Sequence, residues 1–231
     1  MNRVIAIQSR MSSKRFPGKA LKQIQGIPLL GWVIANSRNV GLPTWVVTSQ
    51  EPTDDSLCDY SISQGVNVYR GSLNDVWSRY STFAAENNID RVIRINGDSP
   101  LISPEVISRA VKLDSLNPKS HLVSNVFPRT FPKGQSVEII DSETMLEIHP
   151  SSLSDINREH ITSFFYERSQ EFEIINFTND VDLSSYNLCI DLPSDLTELE
   201  YFLNRNNILE PQSLPRWDNL EPLVRETWGK K

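Results

Sequence analysis

The chain has 231 residues, a formal net charge of −6 and 39% hydrophobic residues. This length and apolar content suit one large α/β domain with its own core. The acidic balance argues against nucleic acid or a membrane surface as a partner, because both favour a basic protein face. The two cysteines have no metal-ligand spacing and give no sign of a disulfide framework or a zinc site. No apolar run has the length of a membrane span or a signal-peptide core, so we expect a soluble, cytoplasmic protein.

Strands alternate with helices in the pattern of the first half of the chain. Apolar and β-branched runs predict strands at 4–8, 44–48, 66–69 and 91–95. Helical spacing predicts helices at 28–39, 54–64, 75–87 and 104–113. This alternation predicts a mostly parallel central sheet with helices on both faces.

The elements become shorter after residue 113. We predict strands at 121–126, 173–177 and 187–190, a helix at 194–203, and short elements around 137–140 and 158–168. The predicted organisation is one domain over 1–205, with a small lid or substrate lobe at about 125–170. Residues 206–231 form a predicted C-terminal tail.

The segment 9–22, which follows the first predicted strand, is locally basic. It holds five cationic residues and no acidic one, namely Arg10, Lys14, Arg15, Lys19 and Lys22. Ligands of open parallel sheets bind beyond the carboxyl ends of the strands, and the hydroxyls and glycine of this segment suit an anion. The segment therefore predicts a polyanion site, and a solvated surface loop is the alternative. It lacks the P-loop pattern, and the chain contains no GxG string.

Two carboxylates follow predicted strands at the same edge of the sheet. Asp98 comes after the strand at 91–95, and Asp191 comes after the strand at 187–190. Either one can instead cap a turn or a helix. Carboxylates from two strand ends can also converge on Mg²⁺, which takes few protein oxygens and completes its shell with water and phosphate oxygens. We predict Asp98 and Asp191 as Mg²⁺ ligands.

Several separated segments together resemble one protein family. They are IAIQSRMSSKRFPGKALKQIQGIPLLGWVI, VYRGSLNDVWSRY, VIRINGDSP, SNVFPRTFPKGQSVEI, REHIT and CIDLPSDL. Over residues 3–202 they resemble bacterial cytidylyltransferases that activate acidic sugars, relatives of the CMP-sialic acid and CMP-ketodeoxyoctonate synthetases. The spore-coat and surface-polysaccharide branch is the most similar. The resemblance implies the Rossmann-type fold of nucleotide-diphospho-sugar transferases, which GT-A enzymes share, and a homodimer.

The resemblance also implies roles for residues of the nucleotide site. The triphosphate would contact Arg10, Ser12, Lys14 and Lys19. Arg10 and Lys19 would stabilise the leaving pyrophosphate and, with Asp98, form the catalytic set.

Three further residues are predicted near the nucleotide. Ser49 and Arg70 lie just beyond predicted strands and are candidates for contacts near the base. Arg79 lies in a segment that matches the family's nucleotide site. It can equally be a surface residue paired with Asp75 at helical spacing.

The acceptor sugar is predicted to contact residues in three of the matching segments: Arg129, Gln135, Glu138, Arg158 and His160. An arginine such as Arg129 can bind a carboxylate bidentately. His160 can instead be a hydrogen-bonded residue of the core. Ser136 stands where relatives commonly have an acid, which leaves the identity of the sugar open.

The resemblance therefore implies a cytidylyltransferase that transfers CMP from CTP to the hydroxyl of an acidic sugar of the 2-keto-3-deoxy type, with Mg²⁺ and release of pyrophosphate, for surface polysaccharide synthesis. The residues alone leave the choice between CTP and GTP open. A GT-A-like glycosyltransferase is the alternative, since Asp180-Val181-Asp182 supplies the Asp-x-Asp string of that class. A nucleotide-binding module without activity is the third hypothesis.

Overall fold

The structure is a computed structural model that describes residues 1–228 and is centred on a seven-stranded sheet. Its strands are β1 (Arg3–Gln8), β2 (Gln23–Ile24), β3 (Ile27–Pro28), β4 (Thr44–Ser49), β5 (Asn67–Gly71), β6 (Arg91–Asn96), β7 (Leu122–Ser124), β8 (Glu138–Asp141) and β9 (Ile174–Asn176). The order in the central sheet is β5-β4-β1-β6-β8-β7-β9, and β2 pairs with β3 separately.

The helices follow the predicted alternation in the first half of the chain. They are α1 (Leu29–Arg38), α2 (Asp55–Ser63), α3 (Val76–Glu86), α4 (Pro104–Leu116), α5 (Ser142–Glu147), α6 (Asp155–Glu159), α7 (Ser163–Glu167), α8 (Pro193–Arg205) and α9 (Trp217–Thr227). Short 3₁₀ turns lie at Lys19–Leu21, Pro52–Asp54, Pro150–Ser152 and Pro211–Ser213. Within residues 1–228, every helix is too short or too polar to cross a membrane.

The sheet is mostly parallel, as predicted. Strands β5, β4, β1 and β6 run parallel to one another, and β9 runs parallel to β7. Strand β8 is antiparallel to both of its neighbours, β6 and β7. The carboxyl ends of β1 and β6 therefore lie side by side near the middle of the sheet, where Gln8 is paired with Asn96.

Both faces of the sheet carry a buried apolar cluster. Along β1, Ile5 and Ile7 belong to the cluster that includes residues of α1, α4 and α8. Val4 and Ala6 belong to the cluster that includes residues of α3, α5 and α7. This alternation is the two-residue period of a strand that is covered on both sides.

The predicted strand at 187–190 is wrong. This segment makes one isolated bridge, between Lys133 and Asn187, and it donates from Leu188 N to Lys133 O at 2.8 Å. Leu188 and Ile190 are nevertheless fully buried in the core. The segment has the apolar character of a strand because it packs against the core, while its backbone pairs with a loop.

The predicted tail contains helix α9, which packs on the core. Trp217, Leu220, Val224 and Trp228 join the same apolar cluster as α1 and α8. The predicted division at residue 205 and the lobe at 125–170 stay predictions. Residues 229–231 of the predicted tail lie outside the described residues.

Candidate active site

A cavity of about 400 Å³ opens at the carboxyl ends of β1 and β6. It is lined by Gln8, Ser9, Arg10, Ser13, Lys14, Arg15, Lys19, Ala20, Val76, Arg79, Arg94, Asn96, Gly97, Asp98, Glu159, His160 and Asp191. Seven residues predicted from the sequence are therefore together: Arg10, Lys14, Lys19, Arg79, Asp98, His160 and Asp191. Cations of the basic segment and the two carboxylates thus line the same cavity.

The basic segment is held by a backbone hydrogen bond within it and by two buried side chains. Gly18 N donates to Met11 O at 2.9 Å and closes residues 11–18 into a loop. Gly18 has φ of 72°, a left-handed conformation that glycine adopts without strain. Phe16 and Ala20 are buried in the core on either side of this glycine. We call residues 9–18 the basic loop, and its fixed end directs Lys19 into the cavity.

The ammonium group of Lys19 bridges the two predicted metal ligands. Its Nζ lies 2.9 Å from Asp98 Oδ2 and 3.1 Å from Asp191 Oδ1, and it donates to Ile190 O at 2.7 Å. Burial lowers the pKa of Lys19, but the negative charge of Asp98 and the hydrogen bonds to both carboxylates outweigh this effect. The pKa is raised above 10.5, so the side chain is cationic at neutral pH.

The backbone holds Asp98 and Asp191 close together. Ile190 N donates to Asp98 O at 2.9 Å, which joins the two segments directly. Asp195, in the first turn of α8, accepts from Asp191 N at 2.7 Å and from Leu192 N at 2.8 Å. Asp195 therefore caps this turn, and the Asp191 side chain pairs with Lys19 and with Arg15 at 2.9 Å instead.

Gly97 allows the close approach of the two central strand ends. Its N donates to Gln8 O at 2.8 Å. A Cβ atom at this position would lie 2.7 Å from Ser9 Cβ and 2.9 Å from Gln8 O. A side chain at residue 97 would therefore push the start of the basic loop away from Asp98.

The two carboxylates fit the donor set of a Mg²⁺ site. Within residues 1–228, no group of three or more His, Cys, Asp and Glu side chains converges as a metal site. Mg²⁺ commonly uses only one or two protein carboxylates and takes its other ligands from water and phosphate. Lys19 Nζ already places positive charge between Asp98 and Asp191.

Arg79 lines the cavity but does not pair with Asp75. Its side chain is buried, and Nη1 donates to Ser72 O at 2.7 Å. Burial lowers the pKa of Arg79, and the nearby charge of Arg10 contributes in the same direction. Asp75 instead caps α3 and pairs with Arg158 at 2.6 Å. Arg158, a predicted sugar contact, therefore links α6 to α3 and lies outside the cavity lining.

The predicted base contacts Ser49 and Arg70 lie outside the cavity lining. Their polar side-chain atoms make hydrogen bonds within the protein instead. Ser49 is fully buried, and its hydroxyl donates to Asp54 Oδ2. Arg70 donates to Ser49 O and Glu51 O, each at 2.9 Å, and pairs with Asp55 at 2.7 Å. Ser12 is exposed on the basic loop and is also absent from the lining.

Three predicted sugar contacts make hydrogen bonds within the protein. Gln135 is fully buried between Ser103 N, from which it accepts at 2.9 Å, and Leu101 O, to which it donates. Glu138 accepts from Arg94 at 2.5 Å and from Tyr166 at 2.6 Å. Arg129 donates to Ser136 Oγ at 2.9 Å, and burial lowers its pKa. All three lie outside the cavity lining, whereas His160 is exposed at the cavity.

The comparison with known proteins decides the family. The sequence profile of the family described as cytidylyltransferase matches residues 4–214. The chain belongs to the cytidylyltransferase family. It is therefore an enzyme of the nucleotidyltransferase class, and the resemblance seen in the sequence is confirmed.

Individual members of the cytidylyltransferase family show the extent of the likeness. The spore coat polysaccharide biosynthesis protein SpsF of Bacillus subtilis is 24% identical over 205 residues, which cover 84% of this chain and 83% of that protein. The 3-deoxy-manno-octulosonate cytidylyltransferase of Pelobacter propionicus is 33% identical over 115 residues, which cover 48% of this chain and 44% of that protein. The structure of a cytidylyltransferase from Leptospira borgpetersenii matches with a TM-score of 0.91 and 28% identity. The match covers 98% of this chain and 94% of that protein. The predicted fold class is confirmed.

The cavity of this cytidylyltransferase also contains residues that we did not predict from the sequence. Arg94 on β6 donates to Gln8 at 2.9 Å, pairs with Glu138 and has an 11% exposed side chain at the cavity. Asn96, two residues further along β6, lies on the same face of the strand. The signal for Arg94 was a charged residue inside an otherwise buried apolar strand.

Proposed function

We propose that this enzyme transfers CMP from CTP to the hydroxyl of an acidic sugar of the 2-keto-3-deoxy type and releases pyrophosphate. One observation carries the proposal: a single cavity is lined by the cations Arg10, Lys14, Arg15 and Lys19 and by the carboxylates Asp98 and Asp191. A triphosphate needs cations along its length, and the transferred phosphorus needs a metal-binding acid beside it.

The side chains of the chain supply binding and charge. Arg10, Lys14 and Lys19 bind the triphosphate and stabilise the charge that develops on the leaving pyrophosphate. Arg79, which is buried next to the cavity, contributes a further positive charge on the nucleotide side. Asp98 and Asp191 hold Mg²⁺. When bound, Mg²⁺ neutralises phosphate charge and lowers the pKa of the attacking hydroxyl, so that positioning and electrostatics carry the reaction without a dedicated general base.

The proposed sugar class rests on the relatives that the chain resembles. One relative is a 3-deoxy-manno-octulosonate cytidylyltransferase, and another is a spore coat polysaccharide biosynthesis protein. We propose an acidic sugar destined for a surface polysaccharide, with His160, which is exposed at the cavity, as the first candidate for its contacts. The resemblance further implies a homodimer, which light scattering of the purified chain tests.

The decisive experiment is a panel of nucleoside triphosphates against a panel of free acidic sugars, with pyrophosphate release as the readout. We expect release only with CTP and a 2-keto-3-deoxy acid. Release with another nucleotide or with neutral sugars would replace the proposed substrate pair. Absence of release with every pair would overturn the proposed transfer.

The structure gives little support to the glycosyltransferase alternative. Asp180, Val181 and Asp182 are exposed and lie outside the cavity lining. The Asp182 carboxylate accepts from Ser184 N at 2.9 Å, as in a surface turn. Hydrolysis of a nucleotide sugar without pyrophosphate release would favour this alternative.

A further inference from the structure

A buried carboxylate outside the cavity lining holds the first residues of the basic loop. Asp54 ends the 3₁₀ turn after β4, and its side chain is fully buried. Its Oδ1 accepts from Met11 N at 2.8 Å. Its Oδ2 accepts from Thr48 Oγ1 at 2.7 Å, from Ser49 N at 3.1 Å and from the Ser49 hydroxyl. One side chain thus joins the loop to the end of β4.

The bond to Met11 acts on the whole basic loop. Met11 is held by its N–H at Asp54 and by its carbonyl at Gly18 N, so it is fixed on both sides. Within residues 1–228, the backbone N–H groups of Ser13, Lys14 and Arg15 make no hydrogen bond, and all three residues line the cavity. Successive unpaired N–H groups are a typical anion-binding arrangement. Met11 precedes this run by two residues, so its hydrogen bond to Asp54 restrains the backbone that leads into the run.

The environment of Asp54 keeps it ionised at neutral pH. Burial raises its pKa, but the hydrogen bonds from Ser49, Met11 and Thr48 outweigh burial, and the net pKa lies below 3.8. A hydrogen bond from an N–H group to an ionised carboxylate is stronger than one between neutral groups. Arg70 supports the turn that carries Asp54, since it donates to Ser49 O and Glu51 O and pairs with Asp55.

We propose that Asp54 is a positioning residue that sets the basic loop for the triphosphate, and that Arg70 supports it. This inference rests on the proposed function, because it assumes that the loop binds phosphate. It assigns Ser49 and Arg70 to the support of the loop and not to the nucleotide base. The β- and γ-phosphates should feel the loss of Asp54, whereas the nucleoside and the α-phosphate should not.

The test compares CTP with CMP, because only CTP carries the phosphates that the loop would hold. Binding of each nucleotide is measured by calorimetry for the wild type and for Asp54→Asn, with melting of each protein recorded in parallel. We expect the Kd of CTP to rise about tenfold or more, as for the loss of a charge-assisted hydrogen bond, with little change in the Kd of CMP.

Asp114→Asn is the matched control, because Asp114 is also fully buried and pairs with Arg3 and Arg91 away from the cavity. It should lower the melting temperature and leave the ratio of CTP to CMP affinity unchanged. Arg70→Gln provides a second arm if Asp54→Asn does not fold, since Arg70 is partly exposed. We expect this variant to lose CTP affinity selectively, whereas a base contact would lose CTP and CMP affinity equally.

Each result decides between the inference and its alternatives. Wild-type affinities for both CTP and CMP in Asp54→Asn and in Arg70→Gln overturn the positioning role. Equal weakening of CTP and CMP in these variants also overturns it, because that is the effect of a structural role alone. Failure of the wild type to bind CTP at all counts against the proposed function instead.

Discussion

Lys19 Nζ lies 2.9 Å from Asp98 Oδ2, so the proposed triphosphate and metal sites share an ion pair. The ammonium group and a divalent cation would compete for the same carboxylate oxygens. A triphosphate supplies oxygens that attract both cations. Binding of the metal and of the nucleotide is therefore expected to be coupled through Lys19, and the coupling must be reciprocal.

Replacement of Lys19 tests this competition. Lys19→Met removes the positive charge and keeps most of the side-chain length. We expect tighter Mn²⁺ binding to the protein alone, because Asp98 and Asp191 lose a cationic neighbour. With CTP, the KM should rise and kcat/KM should fall at least about tenfold.

Paramagnetic titration with Mn²⁺ measures the metal affinity of Lys19→Met, and pyrophosphate release measures its turnover. Lys22→Met, at an exposed position, should change neither, and unchanged Mn²⁺ affinity in Lys19→Met would refute the competition.

The two proposed metal ligands can be tested against the Asp-x-Asp string. Asp98→Asn and Asp191→Asn keep size and hydrogen bonding but remove the charge that Mg²⁺ requires, so turnover should fall by about a hundredfold or more. Mg-CTP should also raise the melting temperature less than it does for the wild type, since a ligand stabilises a fold only as far as it binds. Asp182→Asn is the control and should keep full activity. Loss of activity in Asp182→Asn alone would favour the glycosyltransferase alternative.

The sequence was sufficient for the parts of the site that depend on neighbouring residues. β1 has a continuous apolar run, β6 is apolar apart from Arg94 in its interior, and the cations of the basic loop follow directly after β1. Their placement at one edge follows from the rule that ligands bind beyond the carboxyl ends of parallel strands. Lys19 and Asp98 could therefore be predicted to lie together. Asp191 follows a segment that is not a strand, and it lies beside Asp98 because Ile190 N donates to Asp98 O.

Hydrogen bonds between distant residues could not be predicted in the same way. A polar residue after a strand can face a ligand or can satisfy a buried backbone group, and only the partner distinguishes these cases. Ser49 and Gln135 have such partners in Asp54 and Ser103. Arg94 and Glu138 are 44 residues apart and meet because β8 is antiparallel to β6. No local pattern shows that pairing.

Glu138 is expected to matter for stability more than for direct sugar binding. Its carboxylate contacts Arg94 and Tyr166, and the side chains of Glu138 and Arg94 are both nearly buried. Glu138→Gln leaves the Arg94 guanidinium without its counter-charge, which should lower the free energy of unfolding by about 3 kcal/mol or more. Urea unfolding measures this loss. If unfolding is unchanged while the KM for the sugar rises, Glu138 contacts the sugar as the sequence predicted.

Asp54 also predicts how stability depends on acid. Its pKa is below 3.8 in the folded protein, because its hydrogen bonds outweigh burial, and it returns to about its ordinary value in the unfolded chain. A group with a lowered folded pKa stabilises the fold above its unfolded pKa and loses this contribution as pH falls through the folded pKa. At pH 6, Asp54→Asn should therefore be less stable than the wild type, and the difference in the free energy of unfolding should shrink between about pH 4 and pH 2.

Urea unfolding across this pH range measures the difference. Asp59→Asn, at an exposed carboxylate on α2, should remain close to the wild type at every pH. A constant gap between wild type and Asp54→Asn from pH 6 to pH 2 would mean that the hydrogen bonds at Asp54 do not depend on its charge.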